Sequence, residues 1–143
     1  MIENELKKIK DLLSETKEET IPEIQILFNS FLKNHLKKSH FENYEGDYPT
    51  FIEPVYISEN VKIGDDVLIG PNVFIGENTE IGDHDELTNS IILDNVKLGT
   101  NFKLNRCLIA PHSKLELSNI TLNNCIIIGN AHSEEELRVI SFF

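Results

Sequence analysis

The sequence predicts a mainly β fold in which short parallel strands are wound into stacked coils. The first observation is a six-residue phrase that begins with Ile-Gly and occurs four times in succession, at residues 63–68, 69–74, 75–80 and 81–86. The second is a later phrase that begins with Leu and recurs at spacings of 17 and 18, at residues 87–92, 104–109 and 122–127. A short fixed period of this kind is the signature of a solenoid.

The six-residue period indicates which side chains point inward. The first residue of each phrase should face the interior: Ile63, Ile69, Ile75 and Ile81. The fifth residue of the first three phrases should fill the corners: Val67, Val73 and Thr79. We expect the glycine after each isoleucine to free the backbone for a bend. Three phrases would then make one triangular coil of about 18 residues, and successive coils would stack as parallel strands about 4.8 Å apart.

These phrases resemble the hexapeptide repeats of the left-handed parallel β-helix family. The resemblance covers about half of the chain, residues 55–129, and it implies a β-helix of about four coils within residues 46–130. It also supplies the left-handed winding, since connections between parallel strands are otherwise right-handed. Within the family, residues 54–57, 69–73 and 89–94 are most similar to the C-terminal β-helix of sugar-1-phosphate nucleotidylyltransferases.

A helical segment is predicted over residues 1–45. Apolar residues at helical spacing mark a first helix over 2–18, and Pro22 suits the first turn of a second helix over 22–39. The second helix carries a broad apolar face that requires a partner. We expect the two helices to form a hairpin that covers the open end of the β-helix or packs on a neighbouring subunit, with a docking surface for a separate partner as the alternative.

The later coils contain a column of small residues. Ser90, Cys107 and Cys125 hold the same position in three successive phrases. We expect both cysteines to be reduced thiols, because a free cysteine packs as a small buried apolar residue.

Residues 131–143 are predicted to form a C-terminal cap. Ser133 and Glu136 fit the capping-box pattern, which predicts a short helix over 134–140 that closes the last coil. Phe142 and Phe143 should pack at this cap or at a subunit interface.

The charge balance limits the partners of the chain. Lys and Arg number 13 against 24 Asp and Glu, which gives a formal net charge of −11. A chain this acidic is not expected to bind nucleic acid or an anionic membrane. We find no apolar run with the pattern of a signal peptide or the length of a transmembrane helix, and we therefore expect a cytoplasmic protein.

His84 and Asp85 form the first candidate catalytic site. Asp85 occupies the corner position that Val67 and Val73 fill in earlier phrases. A carboxylate there is unfavourable unless it is paired, and a position that breaks its own pattern often marks a functional or strained site. A turn hydrogen bond made by Asp85 is the alternative explanation.

His112 is the second candidate base. The phrase Pro111-His112 resembles the one that carries the general base in some hexapeptide acetyltransferases acting on sugar phosphates. In this chain Leu115 stands where those enzymes have Tyr. The coil register also aligns His112 with Asn95, which is an ordinary turn position.

Four basic residues fall within 18 positions and are candidates for binding the phosphates of a coenzyme: Lys97, Lys103, Arg106 and Lys114. The alternative is a solvated ladder, since Lys62, Glu80, Lys97 and Lys114 recur at coil spacing, and such surface pairs contribute little. No motif with metal-ligand spacing occurs in the chain, and we predict no metal site.

The resemblance implies a module of sugar-nucleotide or cell-surface-sugar metabolism that assembles as a homotrimer and binds a sugar phosphate or nucleotide sugar. The chain contains no motif for nucleotidyl transfer, so we expect a stand-alone module without that activity. One alternative is a sugar acyltransferase that uses acetyl-CoA or another acyl-CoA at a site between subunits. A second is a structural or partner-binding protein that uses the N-terminal helices. Whether the protein is an enzyme stays open at this stage.

Overall fold

The computed structural model describes residues 2–15 and 18–142, which form two helices followed by a stack of short strands. The helices are α1 (Ile2–Glu15) and α2 (Ile21–Ser30), with 3₁₀ turns at Glu18–Thr20 and Glu134–Glu136 and a π-helical turn at Phe31–His35. None of the helices in these ranges is long and apolar enough to cross a membrane.

The strands are β1 (His40–Phe41), β2 (Tyr44–Glu45), β3 (Thr50–Phe51), β4 (Val55–Ile57), β5 (Val61–Ile63), β6 (Leu68–Ile69), β7 (Val73–Ile75), β8 (Glu80–Ile81), β9 (Glu86–Thr88), β10 (Ser90–Ile92), β11 (Lys97–Leu98), β12 (Phe102–Ile109), β13 (Lys114–Leu115), β14 (Ile120–Ile128) and β15 (Arg138–Ser141). Except for β15, they pair in parallel with strands of neighbouring coils, on both sides within the stack and on one side at its two ends.

The parallel strands form three flat faces around one interior. The first face contains β1, β4, β7, β10 and the C-terminal parts of β12 and β14. The second contains β3, β6, β9 and the N-terminal parts of β12 and β14, and the third contains β2, β5, β8, β11 and β13. The predicted parallel solenoid is thereby confirmed, with about five turns instead of four.

The interior of the solenoid is filled by the aliphatic side chains that the period predicted. The four isoleucines at the first position are all buried in one continuous cluster: Ile63, Ile69, Ile75 and Ile81. The predicted corner residues are buried as well: Val67, Val73 and Thr79. Each coil is too thin to bury this surface alone, so the core exists only because neighbouring coils stack.

The glycines after the isoleucines mainly allow neighbouring coils to approach closely, and they contribute less to the bend of the backbone. A Cβ at Gly82 would collide with the carbonyl oxygen of Gly99 in the next coil. The left-handed backbone conformation falls two residues later, at Asp66, Asn78 and His84, with φ between 59° and 62°. The expectation that glycine supplies the bend is therefore wrong at Gly82, because His84 holds the positive φ there, and His, like Asn and Asp, accepts it more readily than most residues with a side chain. It is confirmed at Gly70, where φ is 109°.

The corner that leads from the second face to the first becomes shorter along the chain. Val55 pairs with Val73, 18 residues on, whereas Val73 pairs with Ser90, 17 residues on. The predicted column is confirmed, since Cys107 pairs with Cys125 and its N–H donates to Ser90 Oγ at 3.1 Å. Small side chains suit a tighter corner.

Both cysteines of this column are free and buried, as expected. Their Sγ atoms lie 3.6 Å apart. The hydrogen bond to Cys125, together with burial, raises the pKa of the Cys107 thiol. The pair therefore acts as apolar filling between two coils.

The helical hairpin packs along the first face, which corrects the prediction that it covers the open end of the β-helix. Buried residues of the helical segment, among them Ile9, Phe28 and Phe31, form one cluster with outward-facing residues of that face, among them Phe74 and Ile91. The hairpin therefore covers neither open end, and its apolar surface is used within the chain. The physical reason is that this face is apolar on its outer side as well as its inner side.

The C-terminal end is closed by a strand, which corrects the helix predicted over 134–140. Helical structure stops at Glu136, and β15 then runs antiparallel to β14. The free edge of β14 would otherwise carry unpaired backbone groups. Phe142 packs on Phe28 with ring centroids 5.2 Å apart, as its predicted place in the cap required. Phe143 lies outside the described residues.

Coils begin earlier than expected at the other end. The β-helix was predicted to begin at residue 46, but β1 and β2 lie within the range predicted to be helical and form the first coil together with β3.

Candidate functional site

His84 and Asp85 lie on opposite sides of the coil wall. The His84 side chain is exposed at the corner between the third and second faces, and its Nδ1 lies 3.3 Å from Asp66 Oδ2. The Asp85 side chain is fully buried in the interior. Because the two side chains point away from each other, the geometry does not make them a catalytic pair.

The buried Asp85 carboxylate accepts two backbone hydrogen bonds. The Gly82 N–H donates to Oδ2 and the Phe102 N–H donates to Oδ1, both at 2.8 Å. Burial raises the pKa of Asp85 to about 7, although the two hydrogen bonds act in the opposite direction. The bond from Gly82 confirms the turn hydrogen bond that was the alternative explanation for this residue.

Asp85 belongs to a set of buried polar side chains that accept a backbone N–H from the next coil. The Val96 N–H reaches Thr79 Oγ1 at 3.4 Å, and the Gly129 N–H reaches Ser113 Oγ at 3.1 Å. Ser90 does the same for Cys107. A buried N–H without an acceptor is unfavourable by about 1–3 kcal/mol. Asp85 is thereby accounted for by the hydrogen bonding of the coil interior.

His112 sits at a different corner from His84. It has φ 65°, and its N–H donates to the Asp94 carbonyl at 2.9 Å, as the Asn95 N–H does to Glu77 one coil earlier. It therefore holds the turn position that the coil register indicated. The structure brings His112 together with neither His84 nor Asp85, and a catalytic role for it stays a prediction.

The four candidate cations do not converge on one site. On the third face, Lys97 Nζ lies 3.5 Å from Glu116 Oε2 and Lys114 Nζ donates to the Asn95 carbonyl. On the second face, Lys103 Nζ lies 3.8 Å from Glu86 Oε2. The pairs made by Lys97 and Lys103 are surface ion pairs of the kind that contribute little to stability.

Arg106 differs from the three lysines. It lies at the corner between the second and first faces, where its guanidinium bonds only to the amide oxygens of Asn124 and Asn29 among the described residues. Within the same described part of the chain, no group of three or more His, Cys, Asp or Glu side chains could hold a metal ion.

The first coil carries an exposed aromatic surface. We call Phe41, Tyr44, Tyr48, Phe51 and Ile52 the first-coil surface. Tyr48 is 97% exposed and Phe41 is 42% exposed, while the Phe51 ring contacts those of Phe41 and Tyr44 at 4.9 Å and 5.6 Å between centroids. Strands β1, β2 and β3 pair only with β4, β5 and β6 among the described residues, so their outer edges are open.

Sequence reasoning missed the first-coil surface. The available signal was the register, because Phe51 pairs with Ile69 and Thr50 with Leu68 at the 18-residue spacing of the later coils. The absence of Ile-Gly phrases in this segment hid that spacing.

The fold and its surfaces define a class: a parallel β-solenoid domain with a helical hairpin on one face and one open coil end. The family model of the GMPPB C-terminal domain matches residues 51–143, which is more than half of the chain. The protein therefore belongs to this family of nucleotidylyltransferase C-terminal β-helix domains. Searches of curated proteins and of solved structures gave no match.

Proposed function

We propose that this chain is a cytoplasmic assembly module of a sugar-nucleotide enzyme system and that it self-associates through the first-coil surface. Family membership supports the sugar-nucleotide part. The observation that carries the assembly part is the difference between the two ends of the solenoid. The last coil is paired with β15, whereas the first coil has open strand edges beside exposed aromatic side chains. Exposed aromatic patches of this kind mark interaction sites.

The charges around the first-coil surface predict how the association depends on salt. Glu42, Glu45 and Asp47 lie in the same coil. A contact between two copies brings these like charges together. Added salt screens the repulsion, so self-association should strengthen as the salt concentration rises.

The stoichiometry is a separate part of the proposal. A homotrimer follows from the habit of related β-helices to pack three side by side. The apolar face of the hairpin is already buried on the first face, so it gives no support to a trimer. In a trimer, the second and third faces are available for side-by-side packing of the subunits. If two copies instead meet only through their first-coil surfaces, the assembly is a two-fold dimer.

Tyr48→Asn combined with Phe41→Ser should shift the protein towards monomer. Asparagine accepts the positive φ of 50° at position 48, so the fold should be kept. Light scattering coupled to size exclusion, at low and high salt, measures the change. The matched control is Ile26→Ser, which removes a 68% exposed apolar side chain from α2. A monomeric wild-type protein at micromolar concentration would overturn self-association, and a dimer would overturn only the trimer.

No contact among the described residues favours the acyltransferase alternative, since His84, Asp85 and His112 are separated from one another. It stays a prediction with a direct test. Calorimetric titration with coenzyme A should give no heat that depends on Lys103 if the chain is an assembly module. Binding that disappears in Lys103→Ala but persists in Arg106→Asn would support the acyltransferase instead.

A further inference from the structure

A polar groove lies between the end of the helical hairpin and one corner of the coils. Its volume is about 550 Å³, within the usual range for sites that bind small molecules. Its polar lining residues are Asn29, Lys33, Lys37, Asn72, Asn89 and Arg106, which we call the basic groove.

The basic groove contains three cations and no carboxylate. Four other grooves on the described surface each contain at least one Asp or Glu. Several lysines elsewhere are paired with carboxylates, as in Lys10 with Asp94 at 2.6 Å. In a chain with a net charge of −11, a groove whose lining contains cations, amides and a few apolar residues but no carboxylate is therefore unusual, and it favours an anionic ligand.

Arg106 is held in position for such a ligand. Its Nε donates to Asn124 Oδ1 at 2.9 Å, and its Nη2 donates to Asn29 Oδ1 at 2.8 Å. The guanidinium carbon lies 5.8 Å from the centroid of the Phe28 ring. A guanidinium has five N–H donors, so three remain for a ligand. Since the group is already fixed, little side-chain entropy would be lost on binding.

Arg106 also breaks the pattern of its own corner. Asn72, Asn89 and Asn124 occupy the equivalent position in other coils, and all four residues have positive φ, with 58° at Arg106. Asparagine is enriched in this conformation and arginine is not. A local exception to a regular pattern is expected where function requires it.

The other two cations come from an irregular part of the hairpin. Lys33 lies in the π-helical turn Phe31–His35, and Lys37 follows that turn. Single π-helical turns occur often at functional sites. Both lysines line the basic groove together with Asn72 and Asn89.

We propose that the basic groove binds the phosphate group of a small phosphorylated metabolite. Arg106, Lys33 and Lys37 contact the phosphate, since Arg and Lys are the usual donors to this group. Asn72 Nδ2 donates to Asn89 Oδ1 at 2.9 Å and Asn89 Nδ2 donates to Asn105 Oδ1 at 3.2 Å, so the Asn72 amide oxygen and the second N–H of each amide remain for hydroxyl groups on the rest of the metabolite. This site is separate from the first-coil surface and goes beyond the assembly function, and it does not require self-association.

Calorimetry on the full chain tests the site with three probes: inorganic phosphate, glucose 1-phosphate and adenosine diphosphate. We expect binding that weakens with salt. If glucose 1-phosphate or the nucleotide binds more tightly than inorganic phosphate, the site also recognises the sugar or nucleoside part of the metabolite. If all three bind equally, the site recognises phosphate alone.

Arg106→Asn is the decisive variant because it restores the asparagine that the corner holds in other coils. We expect a 10- to 100-fold rise in Kd, as for the loss of about one charge-assisted hydrogen bond. Lys33→Gln should act in the same direction. Lys38→Gln, which removes an exposed charge just outside the groove, is the matched control and should bind as the wild type does.

Two results would overturn the proposal that the basic groove binds phosphate. The first is that wild-type protein with a native circular dichroism spectrum binds none of the three probes at millimolar concentration. The other is binding that Lys38→Gln weakens as much as Arg106→Asn does. Light scattering on the same variants should show unchanged self-association, so failure of the groove is distinguishable from failure of the assembly function.

Discussion

Phe31→Ala should lower the free energy of unfolding by about 3–5 kcal/mol, the range for truncating a fully buried phenylalanine. The Phe31 side chain has no exposed surface, and its ring meets the Phe74 ring edge-on with centroids 5.6 Å apart. Phe31 belongs to the helical segment and Phe74 to the first face, so the substitution opens a cavity at the contact that fixes the hairpin on the solenoid.

Urea unfolding followed by circular dichroism measures this loss. Ile26→Ala is the matched control, because Ile26 lies on the outer side of α2, and we expect a change within about 0.5 kcal/mol there. A loss at Phe31 no larger than that of the control would mean that the hairpin is not held by this contact.

The repeat made the solenoid predictable in its middle. Residues 63–86 are close copies of one phrase, and their inward positions were assigned correctly because side-chain direction follows directly from the period. The first coil contains no such copies, so its strands were hidden although its spacing to the next coil is the same. The C-terminal strand could not be predicted from the sequence either, since it forms by pairing with the free edge of β14, and that edge exists only in the folded protein.

The position of the hairpin could be predicted only from the outward-facing residues of the strands. Phe74, Ile91, Leu108 and Ile126 make the outer side of the first face apolar, and this surface needs a cover. The apolar face of α2 indicates only that this helix packs against some apolar surface. The apolar residues on the outer side of the coils indicate that this surface is the first face of the solenoid.

The candidate site was less predictable than the fold. Lysines at coil spacing were correctly suspected to form a charge ladder, but the basic groove joins Arg106 to Lys33, more than 70 positions earlier in the chain. Such a combination depends on how the hairpin lies on the coils. Asp85 was recognised as an exception to the pattern, yet its hydrogen bonds to Gly82 and Phe102 required the structure.

Asp85 should make the stability of the protein fall as the pH rises towards 7. Its pKa is raised to about 7 in the folded state, against about 3.9 in an unfolded chain. Between these values the folded state binds the additional proton, so the contribution is fully present below about pH 4 and is lost as the pH rises through about 7. From pH 5 to pH 8 the loss should be about 3 kcal/mol.

Comparing the wild type with Asp85→Asn at each pH isolates this contribution, because all other titrating groups are shared. The measured quantity is the difference in free energy of unfolding, from urea titrations between pH 5 and pH 8. We expect the advantage of the wild type over the variant to shrink across this range. Asp65→Asn, an exposed carboxyl two positions past Ile63, controls for the loss of one negative charge. A flat difference for Asp85→Asn would mean that the two N–H donors outweigh burial and keep the carboxylate ionised inside the coil.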